Sequence, residues 1–132
     1  MKGVVQIAIA VVQEKDLFLA GPRDAKQVLG EYWEFPGGKI EAEESASEAA
    51  IRECLEETGI AVQVVGQYPA VLHDYDHGTV QLHFFDCRPA SESPPPQTPF
   101  RWIPRKELSD YVFPAANQSL LALLAAAENQ SR

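Results

Sequence analysis

Several features that would place a protein in a broad class are missing from this sequence of 132 residues. No apolar run approaches the roughly 20 residues that a membrane-spanning helix needs, so no membrane partner is expected. The only cysteines are Cys54 and Cys87, too few for a disulfide framework or a zinc site. Both lie among apolar residues, which predicts small buried side chains in a reducing, cytoplasmic compartment.

Positive charge is also scarce. Eleven Lys and Arg residues stand against 19 Asp and Glu residues, and the formal net charge is −8. Such a chain has few cations to replace the counterions on DNA or RNA, so no polymeric nucleic acid is expected as a partner. A phosphorylated small molecule stays compatible if divalent metal lies between carboxylates and phosphates. The length fits a single domain, residues 1–132.

The hydrophobic pattern predicts a mixed sheet with helices packed against it, an α/β or α+β fold. Strands are predicted at 4–12, 17–20, 33–35, 62–65, 68–73, 79–87 and 100–103. Loops are predicted at 21–30 and 90–99, with a hairpin turn at 76–78 and a glycine break at 36–38. A helix is predicted over 117–128, and four leucines are expected to face the core. They are Leu120, Leu121, Leu123 and Leu124.

The clearest helix begins after Ser45, which forms a capping box with Glu48, and ends at Gly59, where a C′ glycine is favoured. Residues three and four apart are neighbours on a helix, so Glu53 lies beside both Glu56 and Glu57. Three such carboxylates form either a solvated acidic face or a site for a hard cation that prefers oxygen ligands.

The order of residues here resembles the Nudix box, which runs Gly, five residues, Glu, seven residues, then Arg-Glu-apolar-any-Glu-Glu-any-Gly-apolar. The residues in register are Gly38, Glu44, Arg52, Glu53, Glu56, Glu57, Gly59 and Ile60. Cys54 takes an apolar position usually held by an aliphatic residue. The resemblance implies a Nudix α/β/α sandwich with a mixed central sheet and a loop–helix–loop motif that binds Mg²⁺, with Mn²⁺ as an alternative.

The resemblance also implies a role for each residue. The metal ligands match Glu53, Glu56, Glu57 and the backbone carbonyl of Gly38. Arg52 matches the arginine that orients a glutamate, and Glu44 matches a position that supports the loop or completes the metal shell. Glu53, together with Arg52 and Glu44, forms the catalytic set, and Glu53 is expected to help deprotonate the attacking water.

Many Nudix enzymes use a further acid, from a loop outside the box, as base or extra ligand. The corresponding loop here, residues 93–100, contains Gln97 and no acid, while Glu92 lies at its edge. Arg101 stands where close relatives can carry an acid. The base therefore stays open between Glu53 and an acid outside the box.

Two further segments, 33–41 and 113–117, resemble the MutT-like branch of the family. By that resemblance Asn117 reads the purine edge, Phe35 packs against the base and Arg23 lies near the nucleotide. Each has an ordinary structural alternative. Asn117 could cap the last helix, Phe35 could be a core aromatic, and Arg23 could be a solvated loop cation.

The implied activity is hydrolysis of a nucleoside triphosphate to a monophosphate and pyrophosphate, by a monomer or dimer. The leading hypothesis is the removal of oxidised purine nucleotides such as 8-oxo-dGTP. The alternatives are a CTP, dCTP or 5-substituted dCTP pyrophosphohydrolase and a non-catalytic lesion- or nucleotide-binding module. The complete glutamate set and the acidic charge disfavour the last. His73, His77 and His83 lack a metal-binding spacing and are expected to be structural or to lie at the edge of a pocket.

Overall fold

A long first strand organises the architecture in the computed structural model, which describes residues 3–23, 32–76 and 78–130, except for the side chains of 128–130. The strands in these ranges are β1 (Val4–Glu14), β2 (Leu17–Pro22), β3 (Trp33–Glu34), β4 (Gly37–Lys39), β5 (Val62–Gln67), β6 (Val71–Tyr75), β7 (Gly78–Pro89) and β8 (Arg101–Pro104). The α-helices are α1 (Ala46–Thr58) and α2 (Gln118–Gln130), and 3-10 turns cover Arg105–Asp110 and Ala115–Asn117.

The strand β1 pairs along both of its edges. It runs parallel to β7, from Val4 opposite Thr79 to Val12 opposite Cys87. Its other edge pairs antiparallel with β4 and then with β2. The strands β5 and β6 pair antiparallel with β7, one after the other, along the edge of β7 opposite β1. The strands β3 and β8 pair with β2. The sheet is therefore mixed, as the sequence predicts.

The two faces of β1 are buried against different helices, because successive strand residues point to opposite faces. One cluster joins β1 to α1 and includes Ala8, Ala10, Val12, Ala49, Ala50 and Cys54. The other joins β1 to α2 and includes Ile9, Val11, Phe113, Leu120 and Leu124. These layers confirm the α/β/α sandwich. Neither helix in the described ranges is long and apolar enough to cross a membrane.

Both cysteines are free and buried in the cluster on the α1 side. Burial raises the pKa of the Cys54 thiol to about 11 and that of the Cys87 thiol to about 12. The thiols are therefore protonated at neutral pH, since only a lowered pKa makes a thiolate available. This confirms the prediction that the cysteines are small buried side chains.

The glycine segment predicted to break a strand forms the strand β4 instead. Gly37 and Gly38 pair with Ile9 and Ala8 of β1. A Cβ atom added to Gly37 would lie 2.9 Å from the Ile9 Cα atom, closer than ordinary contact. The absence of a side chain thus lets this segment pair with β1 at short range, a close backbone approach that glycine permits within a strand.

Two further features of the fold differ from the sequence prediction. The strand predicted at 68–73 is β6 at Val71–Tyr75, because Tyr68 still follows β5 and its N–H donates to the Phe84 carbonyl (2.9 Å). Leu123 is 44% exposed, so the buried stripe of α2 is narrower than predicted and centres on Leu120 and Leu124. Of the loop predicted at 21–30, Gly21 and Pro22 belong to β2, and residues 24–30 lie outside the described residues, as does His77.

Candidate active site

The helix α1 carries the acidic residues and has both ends fixed by its own sequence. The Ser45 Oγ atom accepts from the Glu48 N–H (3.1 Å), and the Glu48 Oε1 atom accepts from the Ser45 N–H (2.7 Å). At the other end Gly59 adopts φ 78°, a left-handed conformation that suits glycine, and its N–H donates to the Leu55 carbonyl. The predicted capping box and C′ glycine are confirmed.

Arg52 ties the acidic residues of the helix to the loop before it. Its Nε and Nη2 atoms donate to the two carboxylate oxygens of Glu44, at 3.0 and 2.8 Å. Its Nη1 atom donates to Glu53 Oε2 and to Glu56 Oε1, both at 3.2 Å. The hydrogen bond from Arg52 is the main cause that lowers the pKa of the Glu44 carboxyl. One guanidinium therefore orients three carboxylates, which a bidentate fork can do.

Gly37 and Gly38 face the helix across from this network. A Cβ atom added to Gly38 would lie 2.5 Å from the Glu53 Cδ atom, so any side chain here would displace that carboxylate. The Gly37 N–H donates to Glu57 Oε1 (3.0 Å). Burial raises the pKa of Glu57 to about 7, and the like charges of Glu34, Glu53 and Glu56 add to the rise. The helix thus presents crowded carboxylates to the backbone of β4.

This carboxylate set fits a hard divalent cation by its chemistry. Glu53, Glu56 and Glu57 offer only oxygen donors, which such cations prefer. A cation would also relieve the like-charge repulsion that raises the pKa of Glu57. Within the described ranges, no three His, Cys, Asp or Glu side chains are already arranged to hold a metal ion. The carboxylates of Glu53 and Glu56 bind Arg52, so they would have to turn toward the ion.

A cleft of about 360 Å³ opens beside these glycines, within the size range of small-molecule sites. Its large aliphatic residues come from β1 and β7 and are Ile7, Ile9, Val80 and Leu82. Four residues predicted from the sequence line it together, namely Arg23, Phe35, Gly38 and Asn117. The fold therefore brings the predicted nucleotide contacts to one cleft. That cleft adjoins the acidic ridge, which consists of Glu53, Glu56 and Glu57 on α1.

The three predicted base or nucleotide contacts differ in their surroundings. Arg23 forms an ion pair with Glu34, with Nη1 and Oε1 3.5 Å apart. Phe35 is only 4% exposed and its ring stacks on Phe113, with centroids 5.0 Å apart. Asn117 is buried within the 3-10 turn before α2, and its Nδ2 atom donates to the Pro114 carbonyl at 3.4 Å. Their roles in binding stay predictions.

The proline-containing loop packs on the C-terminal end of α1. The Gln97 N–H donates to the Thr58 carbonyl (2.8 Å), and the Gln97 side chain lies against Gly59. Glu92 is exposed. The Arg101 guanidinium lies over the Trp33 ring, 4.9 Å from the ring centroid. The loop brings an amide rather than an acid to this end of the helix.

Two histidines have partners outside the acidic ridge. His83 hydrogen-bonds to Gln6 through its Nε2 atom (2.6 Å), and the ring of His73 packs edge-on against Tyr75, with centroids 4.5 Å apart. Tyr75 itself lines the cleft. The positions fit the structural and pocket-edge roles expected for histidine here, while His77 lies outside the described residues.

Sequence reasoning missed two residues of the cleft that carry a charge or a hydroxyl group, Glu34 and Tyr75. Burial raises the pKa of Glu34, and the charge of Arg23 opposes that rise. The available signal for Tyr75 was strand alternation. Tyr75 is two residues from His73, which was expected to be structural or at a pocket edge, so the two side chains lie on the same face of β6. The pairing of β6 with β7 was needed to turn that face toward the cleft.

A larger cavity, about 690 Å³, lies between the 3-10 turn at Arg105–Asp110 and α2. Leu108, Phe113 and Leu121 are among its lining residues. The predicted catalytic, metal and substrate residues are not among those that line it. Size alone is therefore a poor guide, and we place the site at the smaller cleft because the carboxylates and the glycines of β4 meet there.

Comparison with known proteins indicates the same family as the Nudix box does. The family model described as "NUDIX domain" matches residues 7–123. The chain is 38% identical over 86 residues to an 8-oxo-dGTP diphosphatase of Proteus vulgaris, covering 64% of this chain and 76% of the relative. It is 32% identical over 96 residues to a CTP pyrophosphohydrolase of Escherichia coli (strain K12), covering 61% of this chain and 70% of the relative.

A solved structure extends the likeness to nearly the whole chain. The solution structure of MutT from methicillin-resistant Staphylococcus aureus 252 matches with a TM-score of 0.77 and 28% identity. The match covers 96% of this chain and 99% of that one. Nudix hydrolases generally use divalent metal ions, which agrees with the oxygen-donor set on α1. The chain belongs to the Nudix hydrolase family and, within it, to the MutT-like branch.

Proposed function

We propose that this protein is a magnesium-dependent nucleoside triphosphate diphosphatase that releases a nucleoside monophosphate and pyrophosphate. One observation carries the proposal. Gly37 and Gly38 line the cleft and also meet the acidic ridge, Gly37 through its hydrogen bond to Glu57 and Gly38 through its close approach to Glu53. A nucleotide bound in the cleft therefore has its phosphates beside the carboxylates.

The residues of the chain divide the work. Glu53, Glu56, Glu57 and the Gly38 carbonyl would hold the metal ion, which when bound neutralises phosphate charge and activates a water molecule. Glu53 helps to remove the proton from that water, because its carboxylate lies at the glycine strand that borders the cleft. Arg52 positions Glu53, and Glu44 holds Arg52 through two hydrogen bonds.

The proposed substrate is an oxidised purine nucleotide such as 8-oxo-dGTP. Asn117 lines the cleft with an amide that offers both a donor and an acceptor, which suits a purine edge. The relative from Proteus vulgaris bears the name of that activity. The second candidate is a CTP or dCTP substrate, favoured by the likeness to the Escherichia coli CTP pyrophosphohydrolase.

Glu53→Gln tests whether the protein is an enzyme or only a binding module. We expect turnover to fall by roughly 100-fold or more while the circular dichroism spectrum is unchanged, since the substitution keeps the shape and removes a charge. Glu14→Gln, at the exposed end of β1, is the matched control and should keep full activity. Equal turnover of wild type and Glu53→Gln would sink the catalytic assignment.

The substrate is tested with a panel of nucleoside triphosphates and Mg²⁺, followed by identification of the products. We expect 8-oxo-dGTP to have a higher kcat/KM than dGTP, with pyrophosphate as the second product. Similar rates on those two nucleotides together with faster CTP cleavage would select the second candidate. Release of orthophosphate would show that another phosphorus is attacked.

A further inference from the structure

The cleft contains two aromatic side chains whose exposure differs about tenfold. Phe35 is 4% exposed, belongs to the core cluster on the α2 side, and stacks on Phe113. Tyr75 is 44% exposed although it lines the same cleft. Most of the Phe35 ring is therefore already covered by protein, and the aromatic surface still available to a ligand belongs mainly to Tyr75.

Tyr75 stands at the end of the β6–β7 hairpin and is held there by its neighbours. It pairs with Gly78, which has no side chain to cover the ring. The ring of His73 packs edge-on against it, with centroids 4.5 Å apart. Thr79 donates to the Asp74 carboxylate (2.6 Å) across the same hairpin. Such contacts limit the side-chain and backbone freedom that a ligand would otherwise have to remove.

Resting on the proposed function, we propose that Tyr75 is a substrate-binding residue that stacks on the base of the nucleotide. The aliphatic residues of β1 and β7 supply an apolar surface in the same cleft, and Asn117 supplies the polar group that reads an edge. A planar base needs both an aromatic or apolar face and a polar contact at its edge. Phe35 then acts chiefly as support beneath the cleft.

The test separates the base from the phosphate by using two ligands, dGMP and 2-deoxyribose 5-phosphate, which lacks the base. Calorimetry with Mg²⁺ measures both dissociation constants for wild type, Tyr75→Leu and Tyr75→Phe. Tyr75→Leu keeps apolar bulk on the hairpin and removes the ring. Leu72→Ala is the matched control, because Leu72 is 64% exposed on the same strand and points to the opposite face.

We expect Tyr75→Leu to weaken dGMP binding by roughly 5- to 150-fold, the range measured for stacking of a base on an aromatic side chain. Binding of 2-deoxyribose 5-phosphate by Tyr75→Leu should be unchanged. Tyr75→Phe, which keeps the ring, and Leu72→Ala should both bind dGMP as tightly as wild type. In steady-state assays Tyr75→Leu should raise KM for the triphosphate with little change in kcat.

Unchanged dGMP binding by Tyr75→Leu would overturn the inference, and so would equal losses for both ligands. The binding assay needs no hydrolysis, so it is independent of the turnover assay. If wild type binds dGMP through Tyr75 but hydrolyses no triphosphate, the proposed activity fails and the stacking residue stands. If wild type hydrolyses triphosphates and Tyr75→Leu binds normally, only the stacking inference fails. Wild type that does not bind dGMP would overturn the inference as well.

Discussion

Replacement of Gly38 by alanine is expected to reduce catalysis while leaving the fold nearly as stable as before. The new Cβ atom would lie 2.5 Å from the Glu53 Cδ atom, whereas ordinary contact begins near 3.4 Å. The carboxylate must therefore move by about 1 Å. It is the end of a flexible side chain, so the free energy of unfolding should fall by less than about 1 kcal/mol. A displacement of about 1 Å in a catalytic group costs about 100-fold in rate.

Replacement of Gly37, the adjacent residue, by alanine should instead lower the stability of the fold. There the Cβ atom would lie 2.9 Å from the Ile9 Cα atom and would also meet the Ala8 carbonyl, both in the backbone of β1. A central strand cannot move as a side-chain end can, so we expect a loss of about 1 to 3 kcal/mol in stability. Gly66→Ala is the control, because its Cβ atom would lie at an ordinary 3.7 Å from Asp86.

Urea unfolding in EDTA measures stability without metal, and kcat/KM with Mg²⁺ measures catalysis for the same three variants. The expected order of stability is Gly66→Ala and Gly38→Ala near wild type, with Gly37→Ala well below. Only Gly38→Ala should combine near-native stability with a large loss of activity. Full activity in Gly38→Ala would refute the placement of Glu53 against β4, and a fully stable Gly37→Ala would refute the close packing of β4 on β1.

Two further predictions concern charge. Arg52→Lys should lower kcat/KM by about 10- to 100-fold with an unchanged circular dichroism spectrum, because one ammonium cannot reproduce the fork that binds Glu44, Glu53 and Glu56; wild-type kinetics would contradict that role. The pKa of Glu57 is raised from 4.5 to about 7 in the folded protein, so the contribution of Glu57 to the stability measured in EDTA should fall as pH rises from about 4.5 to about 7. The unscreened shift corresponds to about 3 kcal/mol, and water at this half-buried carboxylate should reduce it to about 1 to 2 kcal/mol. Glu57→Gln should remove this pH-dependent contribution. Parallel pH profiles of stability for wild type and Glu57→Gln would contradict the raised pKa of Glu57.

The acidic ridge could be predicted from the sequence because its geometry is local. The positions of Glu53, Glu56 and Glu57 relative to one another depend only on the period of a helix, and Ser45 and Gly59 mark where that helix begins and ends. The strand β4 could not be predicted in the same way. Glycines usually signal a turn, and here they signal a close approach to β1 that exists only after pairing.

The sequence by itself determined the family, the sandwich fold and the carboxylate set, since each depends on spacing within short segments or on resemblance to known motifs. Only the tertiary structure decided how the cleft is lined. Arg23, Glu34, Tyr75 and Asn117 come from segments far apart in the chain, and they meet because β3, β6 and the turn before α2 converge on one face of the sheet. The exposure that distinguishes Tyr75 from Phe35 is likewise a result of packing, because ring burial depends on neighbours such as Phe113 that no local pattern specifies.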